Sequence, residues 1–381
     1  MCKVGVFIDR SYLRTTIGKV RLYSMATAHA PPGATRATSN ADESSALINK
    51  DPIATQLPFF RRLRVGLSLY TFQTFVYVAL RVLRLTKYLS NTQQATFKTY
   101  YAVRPKLPVH VFLPPNHGPT SPKLPTYINI HGGGFALCDP VVDDPFCHHL
   151  CTKYNYLVIS LSYSLSPQHP FPTAVQDIIA LVPAILSDTS LPIDPSRVTL
   201  GGFSAGGNLT LAAAQSPSVG PKITALLPVY PVVDFSGRYK GTFRASGDGT
   251  PDMLQRTGAW FNWGYISPGT RLTDPLLSPV YADRLALPQR AFFVGCEYDV
   301  LCHEAHEMAK KLGGKAAEAK KEEEDWEVGG VKWMRVQGQR HGFTHTTMKG
   351  EKEAERAEAT EALWKEMDRW MKGVFEEGGS R

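Results

Sequence analysis

One serine stands in a pattern that would make it a nucleophile. Residues 202–206 read Gly-Phe-Ser-Ala-Gly, with Ser204 at the centre. The pattern follows a predicted strand at 197–203 and opens a predicted helix at 205–215, and a serine on so sharp a turn exposes its hydroxyl at the end of a sheet. The flanking glycines remove side chains that would collide there. Because five-residue patterns also arise by chance, it is this placement that favours a catalytic serine.

A run of glycines at 131–135, His-Gly-Gly-Gly-Phe, follows a predicted strand at 125–130. Such a run lets backbone N–H groups converge on a small anion, and acyl transfer needs these donors because the attacked carbonyl oxygen becomes an oxyanion. The residue after the nucleophile, Ala205, is expected to add a further N–H. A phosphate-binding loop is the competing interpretation, but no Lys-Ser or Lys-Thr pair follows the glycines and the Gly-x-Gly-x-x-Gly spacing is absent.

A serine nucleophile needs a base, and in this kind of sheet the chain order is serine, acid, histidine. The histidines that follow Ser204 are His303, His306, His341 and His345. His341 is favoured because it lies in a loop just after the last predicted strand, where a base would reach the carboxyl edge of the sheet. His303 and His306 fall inside a predicted helix and are interpreted as surface or packing residues.

Asp299 is the favoured acid. It follows a predicted strand at 291–294 and precedes a helix predicted at 303–312, so it also lies in a loop at the carboxyl end of a strand. Glu297, two residues earlier, is the second choice. Asp274 is the third, and its place in an Asp-Pro-Leu-Leu-Ser-Pro run favours a turn.

No metal or cofactor is expected. The segment 147–151, Cys-His-His-Leu-Cys, has no second cluster at ligand spacing, so its cysteines are interpreted as buried residues of a helix. His303 and His306 are three residues apart, which misses the zinc spacing, and no further ligand is evident. Six cysteines in 381 residues are too few for a disulfide framework.

The rest of the chain must position these residues, and it alternates between strand and helix patterns. Short apolar runs typical of strands buried on both faces are predicted at 97–103, 109–113, 125–130, 157–162, 197–203, 223–229, 291–294 and 331–336. Helical patterns separate most of these runs, notably at 173–187, 205–215 and 303–312. The alternation predicts an α/β fold with a mostly parallel sheet and helices on both faces. Two stretches stand outside it: the polar and aromatic 235–272, and the charged low-complexity loop 313–330.

Composition and charge exclude several classes of protein. With 43% hydrophobic and 20% charged residues the chain is ordinary globular protein, which excludes disordered, collagen-like and coiled-coil chains. The net charge of +8 belongs to the first 100 residues, which hold 14 Lys and Arg against 4 Asp and Glu, whereas the other 281 hold 28 against 30. A nucleic-acid enzyme more often carries its basic stripe on the folded body, so no nucleic-acid partner is expected.

Residues 1–56 are predicted to form a disordered leader, because 30–45 is rich in Pro, Gly, Ser and Thr. No secretory signal is recognisable in it. Two explanations for the leader stay open. The favoured one is a start site placed too early, with Met25 as the natural start, and the less favoured one is a mitochondrial transit peptide. A cytoplasmic location, with possible membrane association, is expected.

An uncharged stretch at 65–80 is bordered by basic residues on both sides: Arg61, Arg62, Arg64, Arg81, Arg84 and Lys87. Its apolar positions fit one face of a helix, and its 16 residues fall short of the ~20 that a membrane span needs. One interpretation is a helix packed on the protein's own core or active-site mouth. The other is a basic amphipathic helix, at 61–87, that makes peripheral contact with a membrane.

Taken together, the motifs resemble the hormone-sensitive-lipase-like group of α/β-hydrolases, of the fungal esterase type. The resemblance rests on residues 131–135, 202–208, 299 and 341–343, in the order found in that group, and covers about residue 97 to the C-terminus. It implies an α/β-hydrolase domain with a mostly parallel eight-stranded sheet and a helical cap. That domain would occupy 57–381, with cap segments 57–96 and 235–272.

The resemblance also implies roles by position. Ser204 would be the nucleophile, Asp299 the acid and His341 the base. The oxyanion hole would be formed by the amides of Gly133, Gly134 and Ala205.

The sequence therefore predicts a serine carboxylester hydrolase that cleaves small apolar esters of short-to-medium acyl chains through an acyl-serine intermediate. Phe135, Trp260 and Trp263 are predicted to bind substrate, and Trp260, Phe261 and Trp263 together suggest an apolar pocket wall, although large aromatic residues are also common in plain core. Phe203 and Gln168 stand where many members of the group have Asp and Glu, so the group's substrates do not transfer to this chain. Two alternatives remain: an acyltransferase or biosynthetic hydrolase using the same triad, and a non-catalytic ligand-binding receptor. No oligomeric state follows from the sequence.

Overall fold

The structure is a computed structural model, which describes residues 51–90, 93–118, 120–242, 245–246, 249 and 252–379. Most of the predicted leader, residues 1–50, lies outside the described residues. The last part of the leader, residues 51–56, is described, and in it Ile53 forms a β-bridge with Arg271. The folded chain therefore begins before the predicted boundary at residue 56.

The strands of the described residues form one nine-stranded sheet. In chain order they are β1 Phe97–Thr99, β2 Val109–Phe112, β3 Leu124–Ile130, β4 Leu157–Leu161, β5 Ile193–Phe203, β6 Ala225–Val229, β7 Arg290–Tyr298, β8 Trp326–Val328 and β9 Val331–Arg340. Their order across the sheet is β1-β2-β4-β3-β5-β6-β7-β9-β8. Strands β4, β3, β5, β6, β7 and β9 run parallel, and β1, β2 and β8 pair antiparallel at the two edges. The predicted mostly parallel sheet is confirmed.

Eight α-helices connect or flank these strands in the described part of the chain. They are α1 Phe59–Ser90, α2 Asp144–Tyr154, α3 Thr173–Leu186, α4 Ala205–Ala214, α5 Met253–Tyr265, α6 Cys302–Gly313, α7 Lys315–Glu318 and α8 Glu351–Gly379. Short 3-10 helices lie at Pro140–Asp143, Gly220–Lys222, Pro279–Tyr281 and Arg284–Ala286.

Helices cover both faces of the sheet because its parallel strands are apolar on both. In β4, Leu157 and Ile159 join the hydrophobic core on one side, whereas Val158 joins the core on the other. Helices α3, α4 and α6 contribute to the first core, and α2 and α8 to the second. Continuous apolar runs are what a sheet with two covered faces requires.

The sheet has nine strands rather than the predicted eight. The additional strand, β8, lies in the stretch 313–330, which the sequence analysis predicts to be a charged loop. A tight turn at Gly329 and Gly330, with φ of 59° and 78°, folds β8 back onto β9. Two successive residues with positive φ are the requirement of the hairpin turn that matches strand twist, and glycine meets it without strain. The strand has only three residues, and the lysines and glutamates around it make the stretch resemble a charged loop.

Two differences in strand length bear on the site. The predicted strand 97–103 ends at Thr99, where turns replace it. The last strand, predicted at 331–336, continues to Arg340, so His341 follows the end of β9 directly.

The segments predicted to form the cap contain helices α1 and α5, which pack on each other. Val65 and Leu69 of α1 are buried. The side chain of Gln73 ties the same helix to the body, because its Nε2 donates to the carbonyls of Ala136 and Ser166 at 2.8 and 2.9 Å. One side of α1 therefore packs in the interior of the protein.

Candidate active site

The candidate nucleophile stands on a strained turn between β5 and α4. Ser204 has φ 56° and ψ −115°, a conformation that L-residues rarely adopt. A Cβ atom placed on Gly202 would lie 2.5 Å from the carbonyl oxygen of Ile130, and one on Gly206 would lie 2.0 Å from the same oxygen. Only glycine fits at either position, so the two glycines of the pattern let β5 turn sharply into α4 beside β3.

Three side chains predicted to act together lie in one chain of hydrogen bonds. The Ser204 hydroxyl donates to Nε2 of His341 at 2.8 Å, and Nδ1–H of His341 donates to Oδ2 of Asp299 at 2.8 Å. His341 and Asp299 are both buried. We call these three residues the triad. They follow strands β5, β9 and β7, so the carboxyl edge of the parallel sheet brings together residues far apart in sequence.

Two carboxylates, those of Asp299 and Asp252, hold the loop after β7 by accepting its backbone N–H groups. Oδ1 of Asp299 accepts the Leu301 N–H at 2.9 Å. Asp252, which is buried, accepts the Val300 N–H at 2.8 Å and the Leu254 N–H at 2.8 Å. Asp252 thus joins the acid loop to the first turn of helix α5. Burial and the charge of Asp299 raise the pKa of Asp252.

The other candidate acids lie outside the triad. Glu297 accepts the Gly338 N–H at 2.8 Å on an exposed part of the sheet edge. Asp274 accepts the Leu276 N–H at 2.9 Å, which closes a turn of the kind that the sequence favours there.

The other candidate bases also bind elsewhere. Nε2 of His345 lies 2.7 Å from Oδ1 of the buried Asp143. His306 is buried in α6, with its ring 4.9 Å from that of Trp333. His303, on the same helix, pairs with acidic side chains. Among the described residues, no group of three or more His, Cys, Asp or Glu side chains is arranged to hold a metal ion.

The protonation of His341 should set the pH dependence of the site. Burial, the largest influence, lowers the pKa of His341, but the charge and hydrogen bond of Asp299 and the charge of Asp252 outweigh it and raise the pKa above 6.5. Only the neutral imidazole can accept the Ser204 proton. We expect kcat/KM to fall roughly tenfold for each pH unit below that pKa and to level off above it.

The measurement is a pH profile of kcat/KM on a soluble ester for the parent and for Asp252→Asn. Removing the Asp252 charge removes one of the influences that raise the pKa of His341, so the acid limb should move to lower pH in the variant. An acid limb at or below pH 6.5 in the parent, or a limb that moves to higher pH in the variant, would contradict the assignment.

The glycine run forms a tight loop beside the serine. Gly133 and Gly134 have φ of 115° and 60°, and a Cβ on Gly133 would lie 2.3 Å from the carbonyl oxygen of Leu137. Nδ1–H of His131 donates to the Gly132 carbonyl at 2.7 Å, which holds the loop from its other end. No acceptor for the N–H of Gly133 or Gly134 occurs among the backbone and side-chain groups that the structure describes.

The amide of Ala205 is the first of helix α4, where backbone N–H groups lack partners within the helix. Gly134, Ser204 and Ala205 line the same pocket. The three amides predicted for the oxyanion hole therefore belong to two segments that adjoin the Ser204 side chain. Their assignment to that hole remains a prediction.

The Ser204 pocket has a volume of about 490 Å³ and lies between the sheet edge and α5. Phe135, a predicted substrate-binding residue, lines it and stacks on Tyr265 with ring centroids 3.8 Å apart. Residues of α5 form the facing wall, among them Leu254, Gly258 and Phe261.

The prediction that Trp260 and Trp263 bind substrate is wrong for the Ser204 pocket. Trp260 packs on Phe72 of α1, with ring centroids 6.1 Å apart, and Trp263 packs under Gly66 of the same helix. Trp260 and Trp263 lie three residues apart and therefore share one side of α5. That side faces α1, so both side chains point away from the pocket. Phe261, the third aromatic residue of that stretch, lies on the pocket side of α5.

Sequence reasoning also missed a buried carboxyl group in the pocket wall. Glu304 of α6 is buried and accepts the N–H groups of Val233 and Asp234 at 2.8 and 3.2 Å. Burial raises the pKa of Glu304 to about 8. Nothing in the helical pattern at 303–312 marks this glutamate as different from the partly exposed Glu307 of the same helix.

Comparison with known proteins identifies the family of the chain and several relatives. Residues 127–345 match the profile of a family described as the α/β hydrolase fold, which is more than half of the 381 residues. The chain is 30% identical over 214 residues to Lipase 2 of Moraxella sp., which covers 48% of this chain and 48% of that protein. It is 32% identical over 209 residues to the carboxylic ester hydrolase LipN of Mycobacterium tuberculosis, which covers 52% and 54%. The chain thus spans about half the length of these two curated relatives.

Solved structures share the architecture. A fungal esterase structure from Rhizomucor miehei superposes with a TM-score of 0.65 at 22% identity, over 88% of this chain and 97% of that one. At this level of identity the likeness concerns the fold alone.

Proposed function

Because the chain belongs to the α/β-hydrolase fold family, in its hormone-sensitive-lipase-like group, we propose that it is a serine carboxylester hydrolase. The observation that carries the proposal is the pair of 2.8 Å hydrogen bonds that connects Ser204, His341 and Asp299. A hydroxyl bonded to an imidazole, which is itself oriented by a buried carboxylate, is the arrangement that activates a serine for attack on a carbonyl.

In the first half-reaction, Ser204 Oγ attacks the ester carbonyl carbon as Nε2 of His341 takes the hydroxyl proton. Asp299 holds the imidazole in the tautomer with Nδ1–H and stabilises the imidazolium that forms. The negative charge on the carbonyl oxygen is stabilised by the amides of Gly133, Gly134 and Ala205. The intermediate then collapses, the alcohol leaves with the proton from His341, and an acyl-serine remains.

In the second half-reaction, water takes the place of the alcohol. His341 removes a proton from water, the resulting nucleophile attacks the acyl-serine carbonyl, and the same amides stabilise the second oxyanion. Collapse of this intermediate breaks the bond to Ser204 Oγ, which recovers its proton from His341, and the carboxylic acid is released. The free enzyme is regenerated without any other reactant.

The pocket wall supports apolar acyl groups of short-to-medium length. Leu254, Phe261 and Phe135 present aliphatic and aromatic surface to the space beside Ser204. Among the relatives, one is named as an ethyl acetate hydrolase from Pseudomonas putida and another as an arylesterase from Saccharolobus solfataricus, and both names support small ester substrates for this chain.

Gly258 offers a direct test of the acyl pocket. It lines the Ser204 pocket from α5, and a Cβ placed on it meets no atom within 4 Å. Gly258→Phe should fill part of the pocket without a clash at its first carbon, so turnover of octanoyl and longer p-nitrophenyl esters should fall about tenfold or more relative to the acetyl ester. The measurement is kcat/KM over esters from acetyl to palmitoyl.

Gly258→Ala is the matched control, because its single methyl group reaches no neighbour and should leave the chain-length profile as it is. An equal loss for all chain lengths in Gly258→Phe would contradict the assignment of this wall to the acyl chain.

A further inference from the structure

We propose that the outward side of helix α1 lies on an anionic lipid surface. We call this side the outer face and define it by six residues: Phe60, Leu63, Leu67, Tyr70, Val78 and Val82. The proposal concerns where the protein sits and does not depend on the reaction at Ser204.

The outer face carries apolar side chains, although it is the side of the helix that is exposed to solvent. The exposed fractions of its side chains run from 46% for Val82 to 81% for Phe60. Its residues lie three, four or eight positions apart, with the exposed Thr74 midway across the eight-residue step, so they form one stripe along the helix. A helix exposed to water normally presents charged and polar residues on that side. A stripe of this kind over so long a helix marks an interaction surface.

The opposite side of the same helix is already occupied. Leu69 is fully buried and Val65 nearly so, and both belong to the side that faces α5 and the body. The apolar residues of α1 therefore form two surfaces, and packing among the described residues accounts for only one of them.

Charge identifies the partner as an anionic lipid surface. The 32 residues of α1 include five arginines and one lysine but no aspartate or glutamate. The cations lie near the two ends, with Arg64 before the uncharged middle and Arg81 after it, and both are exposed. An apolar stripe bracketed by cations matches the acyl boundary and the headgroups of a membrane that contains anionic lipids.

The helix should lie in the plane of the surface. Residues Phe59–Leu85 are long and apolar enough to cross a membrane by length and composition. Crossing would pull Leu69 out of the core and break the hydrogen bonds of Gln73 to the carbonyls of Ala136 and Ser166. Lying flat keeps these contacts and still buries the outer face, over a helix of roughly 48 Å.

Vesicle flotation of the full chain tests the proposal. The probes are vesicles of phosphatidylcholine alone and of phosphatidylcholine with phosphatidylserine. The protein should float with the phosphatidylserine vesicles, less with phosphatidylcholine alone, and less as salt is added. The double variant Leu63→Glu with Leu67→Glu should lose at least about tenfold of the vesicle-bound fraction relative to free protein. Arg64→Glu with Arg81→Glu should lose the preference for phosphatidylserine.

Leu285→Glu is the matched control, because Leu285 is 85% exposed and lies on a 3-10 helix far from α1 in the chain. It should float like the parent. All variants should keep the parent's unfolding temperature and its turnover of a soluble ester, which separates loss of docking from loss of fold or of catalysis.

Any of three results would overturn the proposal. The first is a parent protein that stays unbound with both vesicle types, and the second is a Leu63→Glu with Leu67→Glu variant that floats like the parent. The third is a dimer, seen by sedimentation, that the same double variant dissociates while no vesicle binding is found, since the outer face would then bind a second copy of this chain.

Discussion

Ser204→Ala should lower kcat on p-nitrophenyl esters by at least ~10⁴-fold while the protein stays folded. The substitution removes the only atom that can form the acyl-enzyme, and His341 is left without the hydroxyl that donates to it at 2.8 Å. The backbone turn at residue 204 is set by the flanking glycines, so alanine can take the same conformation. The measurement is steady-state turnover, with circular dichroism and the unfolding temperature as checks on the fold.

Ser218→Ala is the matched control, because Ser218 is an exposed serine that lies outside the pocket. It should retain the parent's activity. If Ser204→Ala kept most of its turnover with purified protein, the serine would not be the nucleophile and the proposed mechanism would be wrong.

Asp299→Asn should lower kcat by roughly 10⁴-fold, with little change in KM. The amide can place its NH2 group toward Nδ1 of His341, which favours the tautomer with the proton on Nε2. That tautomer cannot accept the Ser204 proton, and the imidazolium of the transition state also loses its carboxylate partner. Steady-state kinetics on the same esters measure the effect.

Glu297→Gln tests the choice between neighbouring acids. Glu297 is two residues away from Asp299 on the same strand end, but it accepts the Gly338 N–H, whereas the two ring nitrogens of His341 bind Asp299 and Ser204. Its substitution should change kcat by less than about threefold, as expected for a surface hydrogen bond. A larger loss in Glu297→Gln than in Asp299→Asn would reverse the assignment.

The positions of Ser204, Asp299 and His341 could be predicted because each depends on a local signal. Glycine is required around Ser204 because a Cβ added to Gly206 would lie 2.0 Å from a backbone oxygen, so the requirement is visible as a sequence pattern. Asp299 and His341 lie in loops directly after apolar strands, and parallel strands bring such loops to one edge.

What could not be predicted depends on tertiary packing. Asp252 reaches the acid loop through Val300, which is 48 residues away in the chain, and no local pattern records that contact. Glu304 has the same sequence environment as a solvent-facing glutamate of an amphipathic helix, although it is buried.

The aromatic residues of α5 show the same limit. In the sequence, Trp260, Phe261 and Trp263 stand out as one group of aromatic residues, but which of them faces Ser204 depends on how α1 packs on α5. Since α1 takes the side with both tryptophans, the phenylalanine is left for the pocket.

Covalent trapping tests the central claim most directly. The protein is treated with a fluorophosphonate, which forms a stable phosphonyl ester with an activated serine, and the modified peptide is identified by mass spectrometry. The account predicts a single adduct, on Ser204, whose formation parallels the loss of ester turnover and does not occur in Ser204→Ala. An adduct on another serine that accompanies the loss of turnover, or full turnover by a protein carrying the adduct on Ser204, would contradict it.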